Sequence, residues 1–234
     1  TIDGFVMLTA RDNFLYHEMM SHPALYSHPD PRQVVIIGGG DCGTLKVVMK
    51  HPGVQRGLQV EIDVRVTRLS EDFFPELCVA NNVPRAEFFF GDGIRWMQET
   101  RPGSVDVIIV DSTDPIGPAE GLFTEAFYRD CHRALGEHGV LVQQSESPMY
   151  HMGIINPMRK AMAAAGFSDV QTRFFPQPVY PSGWWTATMA GKQDLMSAFR
   201  EDEAVDKPFA TSYYNAAMHL AALTAPEFFH TALE

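Results

Sequence analysis

Between residues 33 and 144 the chain alternates short apolar, β-branched runs with longer stretches of helical spacing, and the first four runs each end in glycine or an acidic residue. Parallel strands joined by crossover helices require this alternation. The pattern predicts strands at 33–37, 58–62, 87–90, 106–110 and 140–144. Helices are expected at 44–50, 64–74, 94–99 and 124–135, the last closed by Gly136 as a C-cap. Further on, a helix at 157–165 precedes strands at 170–175 and 185–190. A helix at 193–200, an acidic connector and a helical segment at 213–223 complete the chain. Residues 1–20 read as the end of a β-hairpin region and its entry helix, starting near Asp12 or Asn13, and residues 21–234 as one Rossmann-like catalytic domain. Ligands of open α/β sheets bind beyond the carboxyl ends of the strands. Candidate site residues are therefore sought there.

Composition narrows the ligand. With 45% apolar residues in 234, the chain can bury one substantial core. No apolar run is long enough to cross a bilayer and no basic-then-apolar leader opens the chain, so a soluble, cytoplasmic protein without a membrane partner is expected. The three cysteines form no C-x-x-C pair, which fits a reducing compartment and no zinc site. A formal charge of −11 disfavours nucleic acid and suits a cationic small molecule.

The first strand runs into Gly38-Gly39-Gly40-Asp41-Cys42-Gly43, a G-x-G-x-x-G turn that opens a helix. Gly38, Gly40 and Gly43 let the backbone approach a ligand, and Glu61 at the next strand end is placed to accept ribose hydroxyls. A nicotinamide dinucleotide site uses the same pair, but Asp41 inside the loop would repel a pyrophosphate. A nucleoside carrying positive charge fits better. Asp92, between Gly91 and Gly93, is a common turn acid or an adenine acceptor. Asp114-Pro115 reads as a stiffened turn, but Asp111 directly follows four apolar residues, and a carboxylate leaving a buried strand needs a cation or donor. His17 and His22 miss H-E-x-x-H spacing by one residue, so no metal site follows. Phe88 to Phe90, Trp184 and Trp185 read as core or pocket-wall aromatics.

Seven strands closed by a hairpin resemble the class I methyltransferase sheet, a Rossmann-type sheet flanked by helices. More specifically, the chain resembles the spermidine synthase family of polyamine aminopropyltransferases. The motifs that carry the likeness are Tyr16-His17-Glu18-Met19, the glycine loop, Glu61-Ile62-Asp63, Gly91-Asp92-Gly93, the long run from Asp111 to Phe123, Gln144-Ser145-Glu146-Ser147, Tyr180-Pro181-Ser182-Gly183 and Tyr213-Tyr214-Asn215. The resemblance implies decarboxylated S-adenosylmethionine as co-substrate and a putrescine-like amine as acceptor. It makes Asp111 the catalytic acid-base residue, assisted by Tyr16. Asp41 would face the aminopropyl and sulfonium end of the donor, Glu61 the ribose, and Asp92 with Gly93 the adenine. Tyr16, His17, Asp114, Gln144 and Tyr180 would line the acceptor side. A homo-oligomer, dimer or tetramer, is also implied, with only a remnant of the family's N-terminal β-hairpin domain in these residues. Three positions depart from the family pattern: Cys42 replaces a usual glycine, Met7 a usual glutamine, and Asn13 a usual glutamate.

Two other readings share many of these features: an amine N-methyltransferase using S-adenosylmethionine, and a non-catalytic nucleoside or polyamine binder. Retention of Asp41, Asp111 and Asp114 favours catalysis. Asp111 is not a simple base for a solvated ammonium, since the pKa mismatch of over six units corresponds to roughly 9 kcal/mol. A closed site that orients the amine and raises the carboxylate pKa is therefore expected.

Overall fold

The computed structural model describes Thr1 and residues 4–233. Ile2 and Asp3, in the expected hairpin end, and Glu234, the last residue of the expected catalytic domain, lie outside the described residues. Strands β1 (Gln33–Gly38), β2 (Arg56–Glu61), β3 (Ala86–Phe90), β4 (Val105–Asp111), β5 (Leu135–Gln144), β6 (Asp169–Pro176) and β7 (Trp184–Gly191) form one sheet in the order β3-β2-β1-β4-β5-β7-β6. The first five pair in parallel, and β7 runs antiparallel between β5 and β6. This is the seven-stranded class I methyltransferase-like sheet that the alternation predicts. Strand order reverses between β1 and β4, which opens a crevice at their carboxyl ends.

Both faces of the central strands are covered, so their apolar runs are continuous rather than alternating. One face packs Ile36 and Ile109 with Met19, Met20 and Leu25 of α1 (Asn13–Tyr26) and Leu45 of α2 (Gly43–Val48). Beyond β2, α3 (Val64–Phe73) follows an N-cap at Asp63, which accepts from the Arg65 amide. The other face packs Val35, Ile108 and Val110 with Met97 of α4 (Gly93–Glu99), Phe127 and Tyr128 of α5 (Glu125–Ala134) and Met158 of α6 (Met152–Ala164). Each fully buried Val, Leu or Ile of this kind contributes about 1.5–3 kcal/mol. Helix α1 begins where the sequence places it and continues past residue 20 onto β4 and β5.

Four local expectations are corrected. Gly136 is not a helix cap, because Leu135 already pairs with Val105 and the residue lies inside β5. The helix expected at 193–200 is a set of turns: Asp169 accepts the Leu195 amide at 2.9 Å and Asp194 accepts the Ser197 amide at 2.6 Å, which diverts the backbone from a helical ladder. The acidic connector is instead α7 (Glu201–Val205), with Glu201, Asp202 and Glu203 at the end where the helix dipole favours negative charge. Tyr213 and Tyr214 precede α8 (Ala216–Ala221), since the amides of Ser212, Tyr213 and Tyr214 each donate to the Glu18 carboxylate at 2.8 Å. A final helix, α9 (Glu227–Leu233), was not legible in the sequence.

Candidate active site

The loop after β1 is built by backbone contact with β4. Gly38 and Gly39 take positive φ values of 85° and 67°. A β-carbon on Gly38 would lie 2.2 Å from the Asp111 carbonyl oxygen, and the Gly39 amide donates to that same oxygen at 2.8 Å. Only glycine allows this approach. A β-carbon on Gly40 would meet a Glu61 carboxylate oxygen at 2.8 Å, and one on Gly43 would enter the His17 ring at 2.1 Å. The glycines thus bring Asp111, Glu61 and His17 around one loop. Cys42 takes a left-handed φ of 69° with its side chain buried against Leu77 and Cys78, so the loop accommodates a β-carbon at that position.

Asp111 is held from both sides. Tyr16 donates to Oδ1 at 2.7 Å and Thr44 donates to Oδ2 at 2.6 Å. Burial and then the Asp41 charge push the Asp111 pKa up, against the opposing pull of His17 and the two donors. Tyr16 is itself raised well above the ordinary phenol range by burial and by Asp111, so it remains a neutral donor. Asp41 has one oxygen 3.1 Å from His17 Nε2 and the other accepting the Gly43 amide at 2.7 Å. Burial opposes charge on both partners, yet their attraction wins, leaving Asp41 below and His17 above their usual ranges. Glu61, buried and with a raised pKa for that reason, accepts the Asp63 amide at 2.9 Å through one oxygen and turns the other toward Gly40. Asp92 is exposed and caps α4 through Ile94 and Arg95 amides at 2.8 and 3.3 Å. Gly93 leaves room for Ile37, which a β-carbon would meet at 2.6 Å.

Beside Asp111 lies an aromatic cluster. The Tyr180 ring stands 6.0 Å from Tyr16 and 4.6 Å from Trp185, and its hydroxyl donates to the Met7 carbonyl. Gln144 is directed inward to the protein: its amide nitrogen donates to Glu146 at 3.1 Å and to the Thr113 carbonyl at 3.4 Å, while its oxygen accepts the Glu146 amide at 3.2 Å. Gln144 therefore sets the geometry of the loops around Asp114. Sequence reasoning missed Thr44, Glu146 and His151. Glu146 lies in a quoted motif, but its position opposite Asp114 depends on the pairing of β4 with β5 and has no local signal.

Among the described residues, no group of three or more His, Cys, Asp or Glu is placed to hold a metal. His22 faces His51 at 2.8 Å instead of joining His17. A separate groove of about 810 Å³ runs past Phe89, Arg95 and Trp96, but Arg56 and Arg95 there are already paired with Glu87 and Glu99. The carboxylates and the aromatic cluster gather at the β1 and β4 ends: partly buried Asp111 stands between the glycine loop and the rings of Tyr16 and Tyr180.

Comparisons with known proteins agree with that geometry. Residues 13–200 match the model of the spermine/spermidine synthase domain. The chain is 63% identical over 233 residues to a polyamine aminopropyltransferase of Thioalkalivibrio sulfidiphilus, covering 99% of this chain and 82% of that protein. It is 62% identical over 232 residues to one of Methylococcus capsulatus, covering 99% and 81%. Among solved structures, a spermidine synthase in complex with the transition-state analogue AdoDATO superposes with a TM-score of 0.96 at 34% identity, over all of this chain and 80% of that one. The spermidine synthase of Thermotoga maritima gives 0.93 at 33%, over 100% and 78%. The chain therefore belongs to the spermine/spermidine synthase family and is an aminopropyltransferase.

Proposed function

We propose that this site moves an aminopropyl group from decarboxylated S-adenosylmethionine to a diamine such as putrescine, giving spermidine and methylthioadenosine. The observation that carries the reading is Asp111, fixed by Tyr16 and Thr44 where the glycine loop meets the aromatic cluster. Glu61 would hold the ribose, Asp92 the adenine edge, and Asp41 with His17 the aminopropyl end. Gly38, Gly40, Gly43 and Gly93 give clearance for the close approach of Asp111, Glu61, His17 and Ile37 around the loop. Tyr16, Tyr180 and Asp114 would flank the acceptor, with Gln144 positioning the loop that carries Asp114. The neutral amine attacks the methylene carbon beside sulfur, the carbon–sulfur bond breaks, and the thioether leaves. Asp111 takes the proton released from nitrogen, and its raised pKa narrows the gap to the amine.

No helix is long and apolar enough to cross a membrane among the described residues, and the three cysteines are buried thiols, which supports a cytoplasmic setting. A homo-oligomer remains part of the proposal on family grounds.

Calorimetry with both forms of the donor tests the reading. Intact S-adenosylmethionine carries a carboxylate toward Asp41 and Asp111, a repulsion of up to about 4 kcal/mol at an effective dielectric near 20. His17 offsets part of that charge. Tighter binding of the decarboxylated donor, on the order of tenfold or more, is expected, and Asp41→Asn should shrink the preference. Equal affinities, or methyl transfer from the intact donor, would replace this reading with an amine N-methyltransferase.

A further inference from the structure

The amides that lead into the Tyr213-Tyr214-Asn215 run converge on Glu18. The Ser212 amide donates to one carboxyl oxygen and the Tyr213 and Tyr214 amides to the other, each at 2.8 Å. The same C-terminal segment continues along α1: the Phe209 ring stacks on His22 at 5.4 Å, and the Tyr214 ring lies nearly parallel to Tyr26 at 5.8 Å. Glu18, His22 and Tyr26 stand at i, i+4 and i+8, so they form one face of the helix, and all three are buried. Met19 and Met20 pack toward the sheet. Helix α1 is thus enclosed between the sheet and the C-terminal segment.

Three consecutive residues of α1 therefore hold three different parts of the protein. Tyr16 donates to Asp111 at 2.7 Å, His17 lies 3.1 Å from Asp41, and Glu18 takes the C-terminal amides. Successive residues of an α-helix point about 100° apart, so these anchors surround the axis. Tyr16 and His17 reach both acids in only one rotation and axial setting of the helix. They belong to the crevice, and Glu18 is the anchor outside it. A carboxylate suits that place because it only accepts: amides from one turn form a concavity that its two oxygens fill, whereas a glutamine would set its NH2 against at least one donor.

We propose that Glu18 is a positioning residue for the transfer: by clasping residues 212–214 it makes the C-terminal segment the outer stop of α1, and that stop sets where Tyr16 and His17 meet Asp111 and Asp41. The inference rests on the role given to Asp111 above. Glu18 acts through its two neighbours. Without the clasp nothing at that turn opposes a shift of the helix away from the crevice, and a shift near 1 Å takes the Tyr16 hydrogen bond out of range. The groups facing Asp111 are Tyr16 and His17 from α1, Asp41 from the glycine loop, Thr44 from α2, Glu61 at the end of β2 and Tyr180 before β7. Of these, His17, Thr44 and Tyr16 favour the ionised carboxylate against burial and the Asp41 charge. A loosened Tyr16 therefore leaves Asp111 protonated to higher pH.

Steady-state kinetics across pH for Glu18→Gln, Tyr16→Phe and the double variant, each normalised to titrated donor sites, test this. Glu18→Gln should lower kcat/KM for 1,4-diaminobutane by about tenfold to a hundredfold. It should also move the acid limb of the pH profile upward, as Tyr16→Phe does. Together the two substitutions should cost less than the product of their separate losses, because both act through one hydrogen bond. A full product, or an unmoved acid limb in Glu18→Gln, overturns the proposal and leaves Glu18 a support of the fold alone. If Glu18→Gln does not fold, hydrogen exchange of the natural protein decides. Methylthioadenosine bound on the crevice side should slow exchange of the Ser212, Tyr213 and Tyr214 amides across the helix, because coupling between two sites is reciprocal; unchanged exchange refutes the coupling. Full turnover by Asp111→Asn sinks the Asp111 role and this inference together, whereas an inactive Asp111→Asn beside independent Glu18 and Tyr16 effects sinks the inference alone.

Discussion

The two halves of the crevice are finished to different degrees. On the donor half, Asp111, Asp41 and Glu61 all have partners within the protein, supplied by Tyr16, Thr44, His17 and backbone amides. On the acceptor half, Glu146 Oε2 and His151 Nδ1 stand 3.2 Å apart, and the buried Trp185 Nε1 has no partner. A half whose polar groups are already held by the protein is fixed before substrate arrives, which is what electrostatic preorganisation requires. A half with an unpartnered donor has a bond left to make.

The largest effect should come from the point where the halves meet. Asp111→Asn keeps the shape but loses the charge and the proton acceptor, so the transfer rate should fall by about 10²–10⁴-fold while donor affinity and far-ultraviolet circular dichroism stay near normal. Single-turnover kinetics beside donor titration would measure it, and a folded variant with ordinary turnover would remove Asp111 from the chemistry.

Next in size is the stability that the acceptor half forgoes. Glu146 has a folded pKa of about 8, above its ordinary value of 4.5, so the native state holds a proton that the unfolded chain has released between those limits. Native stability should therefore fall as pH rises through that window, by about 1.4 kcal/mol per unit at most. Glu146→Gln removes the linkage. Thermal melts should show the variant ahead of the natural protein near pH 8, with the gap closing toward pH 5; parallel melting curves across this range would mean that Glu146 ionises freely in the fold.

On the donor half, Glu61→Gln should weaken binding of the thioether nucleoside product by about 1–3 kcal/mol through lost charge-assisted hydrogen bonds. Unchanged affinity by titration would move the ribose elsewhere. The smallest effect sharpens the contrast. Trp185→Phe deletes an indole N–H that has no partner, so the empty protein should stay within about 0.5–1 kcal/mol of its natural stability, or gain slightly. Tyr16→Phe deletes a donor in use and should cost more, which paired chemical melts of the two variants would resolve.

Much of the donor half was legible in the sequence because its parts are local. A strand, a glycine turn and a helix start lie within about a dozen residues, and their order alone places Asp41 and Glu61 at neighbouring strand ends. The sheet was legible for the same reason, from apolar runs whose length and β-branching leave few alternatives. The helix expected at 193–200 failed where two aspartates competed for backbone amides, one of them from β6. Thr44 was missed because its hydroxyl meets Asp111 across 67 residues of chain.

The sequence by itself determined the order of elements, the glycine positions and the presence of a lone acid after a buried strand, since periodicity, backbone freedom and desolvation cost are properties of a residue and its near neighbours. Tertiary structure alone decided which groups partner that acid and which remain unpaired. Tyr16 reaches Asp111 across 95 residues, and Glu146 faces Asp114 only because β5 pairs beside β4. The pKa of a buried carboxyl depends on solvent exclusion and on charges a few ångströms away, and both are set by packing between distant segments.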